Sequence, residues 1–536
     1  MKKILFSFFL LFIFSSTYSQ QVSGDTLVAD FKYLVKALEE THPDPYTGFG
    51  GKVFFHKKAF EVEQSLKKGG TLNDFSETIL SFFSNLEDGH TYLEQINFTK
   101  SYIPNLVLPI EFSVISDGLI ISGISKENEH LIGAQLVSVN GIAVADLLER
   151  VGRSISTENI YGRYATLSGY IRQFDKMKRL IPELEETTSI KLKNLSGEIK
   201  HVQITFLSKD NMASIVMVNV PAWDKIQDGY MSYNYLDKNN QAMYFRLSSV
   251  MAKESFSYVK EQGWPNTESW LKSFYKSTLK AEMPENIDEA IDKLLNVAEV
   301  FRKMLEEMKK NNSEVLVIDL RGNGGGFTGI VLPTLYMMYG DDYLKKNMGT
   351  ENYMLVSPLL IKKFVTTLDE FNKLRNASYE YGDYTFFSSK SEDKPIEDKR
   401  AAFINNTLGE GARFVEDLDG KPLYQPSKVF VITDGWTFSA AFHYAFYLWK
   451  MEAAVVGTPC MQAPNTYMAT TPFELPLTKL KGSISNSFQV FLPADDRRAK
   501  VFYPDIMLSW KDYSKYNFDK HSDVLFLLVD VLNLDL

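Results

Sequence analysis

The feature that most restricts this fold is a short apolar strand running straight into glycine. Val315-Leu316-Val317-Ile318-Asp319-Leu320 is followed by Arg321-Gly322-Asn323-Gly324-Gly325-Gly326. A strand apolar at nearly every position is buried on both faces, as in parallel sheets covered by helices. A second such strand, Val429-Phe430-Val431-Ile432-Thr433, turns through Asp434-Gly435 into Thr437-Phe438-Ser439-Ala440-Ala441. In open α/β sheets, functional groups collect beyond the carboxyl ends of the strands. Both turns are therefore candidate sites.

The remaining chain divides by pattern. Residues 1–19 carry Lys2 and Lys3, a run from Ile4 to Phe14 that is apolar except for Ser7, and small residues before Gln20. That run is too short for a bilayer core of about 30 Å. It reads as a secretory signal cut near Ser19, which makes the protein exported: periplasmic, envelope-bound or extracellular. No later segment has the length of a membrane span. Residues 20–97 read as a helical domain, with Leu27, Phe31, Leu34, Val35 and Leu38 at helical spacing and a stop at His42-Pro43. Residues 98–210 alternate in short apolar runs bounded by Asp117-Gly118 and Asn140-Gly141, the pattern of a β-rich domain with hairpins. Residues 211–536 form a mixed α/β domain that opens on an ambiguous stretch to 240. In it, Ile287 to Met308 is expected to be one long amphipathic helix.

Charge and cysteine content narrow the function. The balance of 58 Lys+Arg against 67 Asp+Glu speaks against nucleic acid as a partner. The single Cys460 excludes an intrachain disulfide and a cysteine-built zinc site. The seven histidines form no H-E-x-x-H or other tight ligand spacing, so no metal or other cofactor is expected.

Three constellations can carry chemistry. The glycine run offers backbone N–H groups for an anion nest, which serves either a phosphate or the oxyanion of an acyl-transfer transition state. Gly324, Gly326 and Gly329 satisfy G-x-G-x-x-G, a weak match in so glycine-rich a stretch. A plain tight turn also fits. Ser439 stands where a strand gives way to a helix. There it is either an N-cap or a nucleophile facing the positive end of the helix dipole. His90, in Asp88-Gly89-His90-Thr91, is a candidate base, and His443, one helical turn beyond Ser439, competes with it.

Together these motifs resemble the C-terminal processing (tail-specific) serine peptidases. The resemblance rests on VLVIDLRGNGGG, on T-F-S-A-A and on D-G-H-T. It extends to the PDZ-like stretch 133–144, to His42-Pro43 and to Phe502-Tyr503-Pro504-Asp505-Ile506. It implies an α/β (α+β) multidomain fold: a Clp-protease/crotonase-like catalytic core behind an N-terminal helical domain and a PDZ-like β domain. One branch of the family uses a Ser–Lys dyad, but the position where the Lys would fall is Pro464. The tricorn-like branch, with a His base, is the better match. The resemblance then implies Ser439 as nucleophile, His90 as base, and the amides of Gly324 or Gly325 with Ala440 as oxyanion hole. The branch's His-orienting Glu falls at Arg498, which leaves Asp496 as the carboxylate closest to that position. The implied partner is a peptide or protein substrate, with its C-terminus as a candidate point of recognition. The alternative is a weakly active or silent peptide-binding relative, since Phe442 stands where the family often has an acid. The stretch from 340 to 427 reads as an insertion that walls or lids the cleft, and aromatic-rich Tyr379 to Phe387 reads first as a packed strand, with a lining of the cleft as the alternative.

Overall fold

The computed structural model describes residues 21–94, 105–227, 229–264, 266–388 and 394–536. The expected signal segment 1–19 lies outside the described residues. Among these residues, no helix is long and apolar enough to cross a membrane.

The first unit consists of the helices Gly24–Thr41, Lys52–Leu66 and Leu72–Phe83. Each of the first and third begins on a side-chain cap. The Ser23 hydroxyl accepts from Thr26 N, and Thr71 and Asp74 cap each other reciprocally. The periodic apolar residues Leu27, Phe31, Leu34 and Leu38 are buried, and they pack with Phe55, Phe75 and Phe82. That core also takes in Phe473, Leu475, Leu480 and Ile484 from the far end of the chain. Buried Asp30 seals the contact by accepting from the amides of Leu477 and Thr478. His42 ends the first helix in an extended conformation, as the following proline requires.

The middle unit is an antiparallel sheet built on Ile110–Ile115, Gly118–Ser125, Gln135–Val139, Thr187–Lys193 and Ile199–Thr205. Between its strands run three helices, Val144–Ser154, Ile160–Ile171 and Phe174–Leu180, which the alternating pattern did not reveal. The stretch left ambiguous by sequence is shared out. Met217–Asn219 joins this sheet, and Met231–Tyr235 joins the next one.

The third unit is organised around a five-stranded sheet. Its order is Met231–Tyr235, Ala242–Leu247, Val315–Asp319, Lys428–Thr433, Ala454–Gly457, parallel except for the first pair. The Val315–Asp319 strand is buried at every position, in the centre of the sheet. The single helix expected over 287–308 is two, Ile287–Asp292 and Val297–Asn311. Asn296 divides them, because its side chain accepts from Glu299 N and starts a new helix. The region 340–427 is not merely loop. Its strands Glu351–Leu355 and Tyr384–Ser388 extend a sheet with Lys481–Val490 and Thr466–Glu474, and Tyr92–Leu93 pairs onto the same sheet.

Candidate active site

The two turns singled out by sequence meet. Both follow neighbouring parallel strands, so their carboxyl ends lie side by side. Gly322 N donates to both oxygens of Asp434 at 3.0 Å, and Phe438 N donates to the Asn323 carbonyl at 3.0 Å. A Cβ on Gly325 would stand 2.7 Å from Ser439 Cβ and 2.8 Å from Ala440 N. Only glycine allows so close an approach, and Gly325 has φ of +101°.

A buried charge network anchors the glycine turn from below. Asp319 receives Arg321 at 2.7 Å, Arg246 at 3.0 Å and the Tyr244 hydroxyl at 2.6 Å. Arg321 also reaches Asp523, at 3.3 Å. Burial alone would raise the Asp319 pKa. The two guanidinium charges and the hydrogen bonds outweigh it and hold the carboxyl well below the usual carboxylate range.

Ser439 does not cap its helix. The helix Ala440–Lys450 starts behind it without a side-chain cap bond, and Ser439 itself has φ +53° and ψ −125°. That backbone is outside the ordinary regions for an L-residue. Strain of this kind costs about 1–3 kcal/mol and persists only where surroundings enforce it. Here the enforcing contacts are the glycine turn and Gln462, whose Oε1 accepts from Ser439 N at 2.5 Å. The amides of Gly324 and Ala440 carry no hydrogen bond among the described residues. The Gly325 amide is different: it donates to Asn323 Oδ1 at 2.9 Å. It is spent holding the turn, so the free donors are Gly324 and Ala440.

His90 reaches this corner from the first unit. Its ring stacks on Phe438, the residue before Ser439, with centroids 4.5 Å apart. The loop is fixed on both sides. His90 N donates to Asp88 Oδ1 at 2.8 Å, and the Thr91 hydroxyl accepts from Ser485 N at 2.9 Å. Asp88 is wholly buried and faces His42 Nε2 at 3.3 Å. Burial would raise its pKa, but the His42 and His90 charges and hydrogen bonds lower it to about 2. His42-Pro43 thus has a physical role: it ends the first helix and holds the acid that holds the His90 loop.

The carboxylate beside the His90 ring belongs to Glu158, not Asp496. Glu158 Oε1 lies 3.5 Å from His90 Nδ1, and its side chain is 2% exposed. Asp496 instead accepts from Arg498 N at 2.7 Å, capping its own turn. Arg498 pairs with Asp505 and lies over the Trp449 ring. Burial works to lower the His90 pKa, but Glu158, Asp88 and the Tyr467 backbone together raise it above its ordinary value. His443 behaves oppositely. Burial, with the His90 charge adding to it, lowers its pKa to about 3, and its Nδ1 bonds the Thr328 hydroxyl at 2.8 Å. It is a neutral packing residue.

Asp88, His90 and Glu158 each bring a potential ligand atom within 4.8 Å of the others. Asp88 faces His42, and Glu158 accepts from the backbone amides of Gly89 and Ala463. Beside Glu158 opens a cavity of about 590 Å³ walled by Tyr353, Tyr384, Tyr467 and Phe488, with Lys500 at its edge. Tyr384 comes from the aromatic stretch 379–387. That stretch is partly a paired strand and also contributes to this cavity.

Comparison with known proteins adds a family match over part of the chain. The model of peptidase family S41 matches residues 277–479, which include the glycine turn and Ser439 but not His90 or Glu158. Among solved structures, mature CPAF aligns with a TM-score of 0.58 at 13% identity, covering 95% of this chain and 98% of that one. Mature CPAF complexed with lactacystin gives 0.54 at 14% identity, covering 95% and 99%. The s499a mutant of CPAF gives 0.51 at 15%, covering 95% and 98%. At these identities the likeness is one of fold, and it spans nearly the whole chain. No curated protein matches the sequence.

Proposed function

We propose that this chain, whose residues 277–479 match the S41 peptidases, is an exported serine peptidase that works through an acyl-enzyme. The observation that carries the proposal is Ser439: a serine held at positive φ, not capping its helix, between a glycine turn and an imidazole stacked on its neighbour.

The chemistry is acyl transfer. His90 takes the proton from the Ser439 hydroxyl as Oγ attacks the peptide carbonyl carbon. The carbonyl oxygen becomes an oxyanion that accepts hydrogen bonds from the Gly324 and Ala440 amides. One donor of this kind is worth about 2.7–4 kcal/mol. His90 then gives its proton to the leaving amine, and water repeats the sequence on the ester. His90 suits the task because Nδ1 faces a carboxylate at 3.5 Å, and neither ring nitrogen is tied up in a hydrogen bond of good geometry among the described residues. The aromatic cavity beside Glu158 suits an apolar side chain of the substrate. A PDZ-like role for the middle unit favours substrates presenting a free C-terminus.

A fluorophosphonate probe tests the proposal. Labelling of the full chain that disappears in Ser439→Ala supports it. Absence of labelling in the native protein refutes it and favours a peptide-binding relative without turnover.

A further inference from the structure

We propose that Glu158, carried by the loop between two helices of the middle unit, is the positioning carboxylate of His90. This rests on His90 being the base of the proposed peptidase.

Glu158 is fixed before it meets His90. One oxygen accepts from Ala463 N at 2.8 Å; the other accepts from Gly89 N at 3.2 Å and faces His90 Nδ1. Its neighbours brace the same loop. The Ser156 hydroxyl accepts from Asp88 N at 2.8 Å, and Asn159 Nδ2 donates to the Cys460 carbonyl at 3.0 Å. The loop therefore touches the His90 segment on one side and the 460–463 segment on the other. Gln462, within that second segment, holds the amide of Ser439.

The other charged or titratable groups around His90 have different tasks. Asp88, on its own loop, receives the His90 backbone N–H and faces His42. His443, on the helix behind Ser439, is neutral and bonded to Thr328. Tyr467 contributes only its backbone. Asp496 caps a turn. Of these groups Glu158 makes the closest carboxylate contact with a ring nitrogen of His90, at 3.5 Å, while the nearest Asp88 oxygen stands farther off, within 4.8 Å. The Glu158 contact favours the tautomer with the proton on Nδ1, leaves Nε2 to accept from serine, and stabilises the imidazolium that follows. At 3.5 Å it is longer than a hydrogen bond, as such contacts often are before substrate binds.

The consequence is structural as well as chemical. The base and its carboxylate come from different units, so the pair is complete only while the 156–159 loop is seated.

The test uses the full chain labelled with carbon-13 histidine in the Ser439→Ala background, together with kinetics of the active enzyme. The His90 titration is expected to lie above the ordinary histidine value and to move to lower pH in Glu158→Gln. A His90 titration below the ordinary value overturns the proposal without any Glu158 variant. In the active enzyme, Glu158→Gln is expected to lower kcat roughly 100- to 10,000-fold with KM nearly unchanged, and to move the acid limb of kcat/KM to lower pH. Glu158→Asp, which keeps the charge, is expected to recover part of kcat. An unmoved His90 titration, or a moved titration with unchanged kcat, also overturns it. If the native protein neither labels nor hydrolyses, the peptidase reading fails, while the His90 titration still decides whether Glu158 governs that ring.

Discussion

Gly325→Ala is the sharpest perturbation of the site, because its cost can be worked from geometry. Gly325 has φ of +101°, where an alanine backbone is strained by about 1–3 kcal/mol. The added methyl would also stand 2.7 Å from Ser439 Cβ, 2.8 Å from Ala440 N and 2.8 Å from the Phe438 carbonyl oxygen. Crowding a filled site costs about 1–3 kcal/mol more. The sum, on the order of 2–6 kcal/mol, is the penalty if nothing moves. Relaxation lowers it, but the atoms that would move surround Ser439, the proposed nucleophile, and a shift of about 1 Å there costs about 100-fold in rate. The variant is therefore expected to lose stability in urea unfolding and to label with the fluorophosphonate at least roughly 100-fold more slowly. Gly324→Ala is the stability control, since a Cβ there meets nothing within 4 Å. Wild-type unfolding and labelling rate in Gly325→Ala would refute the claim that the glycine turn is pressed against the serine.

Two further outcomes are expected. His443→Ala should keep Ser439 labelling while losing about 1–3 kcal/mol of stability, because it removes a buried ring and the partner of Thr328; loss of labelling in a folded variant would make His443 the base. Glu254 is 2% exposed, and burial raises its pKa from 4.5 to about 7. The unfolded chain therefore releases this proton at lower pH than the folded one, so stability falls as pH rises from about 4.5 to 7, by on the order of 3 kcal/mol, and stays lower above that. Glu254→Gln should remove this loss, and urea unfolding at pH 5 and pH 8 checks it: parallel losses in both proteins would sink the assignment.

What the sequence made legible was local. A run of four apolar residues and a run of glycines each signal through neighbours in the chain, so the central strand and both turns could be placed. Ser439 could be singled out too, although the positive φ that separates nucleophile from N-cap has no sequence signature when the residue is not glycine. The two helices over 287–311 were merged because Leu294 and Ala298 keep the apolar period across Asn296, and both sides of the break are buried. The Asn296 cap was there to be read. Glu158 had no such signal. It is one of 67 acidic residues, and it meets His90 across 68 positions through a loop whose flanking helices were themselves hidden behind an alternating pattern. The Glu351–Leu355 strand has no local signal for a related reason: one of its partners, Lys481–Val490, lies far along the chain.

The site's placement at the junction of all three units has a physical reason. A serine held at positive φ relaxes unless its neighbours are themselves immobile. Gln462 holds its amide, and the segment bearing Gln462 is held by Glu158 and Asn159. The His90 loop is held in turn by Ser156, by Thr91 and by the pairing of Tyr92 and Leu93 with Lys481–Val490. The helical unit is locked to that sheet through Phe473, Leu480 and Asp30. Gln462 shares the third unit with Ser439, but the supports of the Gln462 segment and of the His90 loop come from other units. No unit separated from the others contains both the proposed nucleophile and its base, and the strained geometry is therefore a property of the assembled chain.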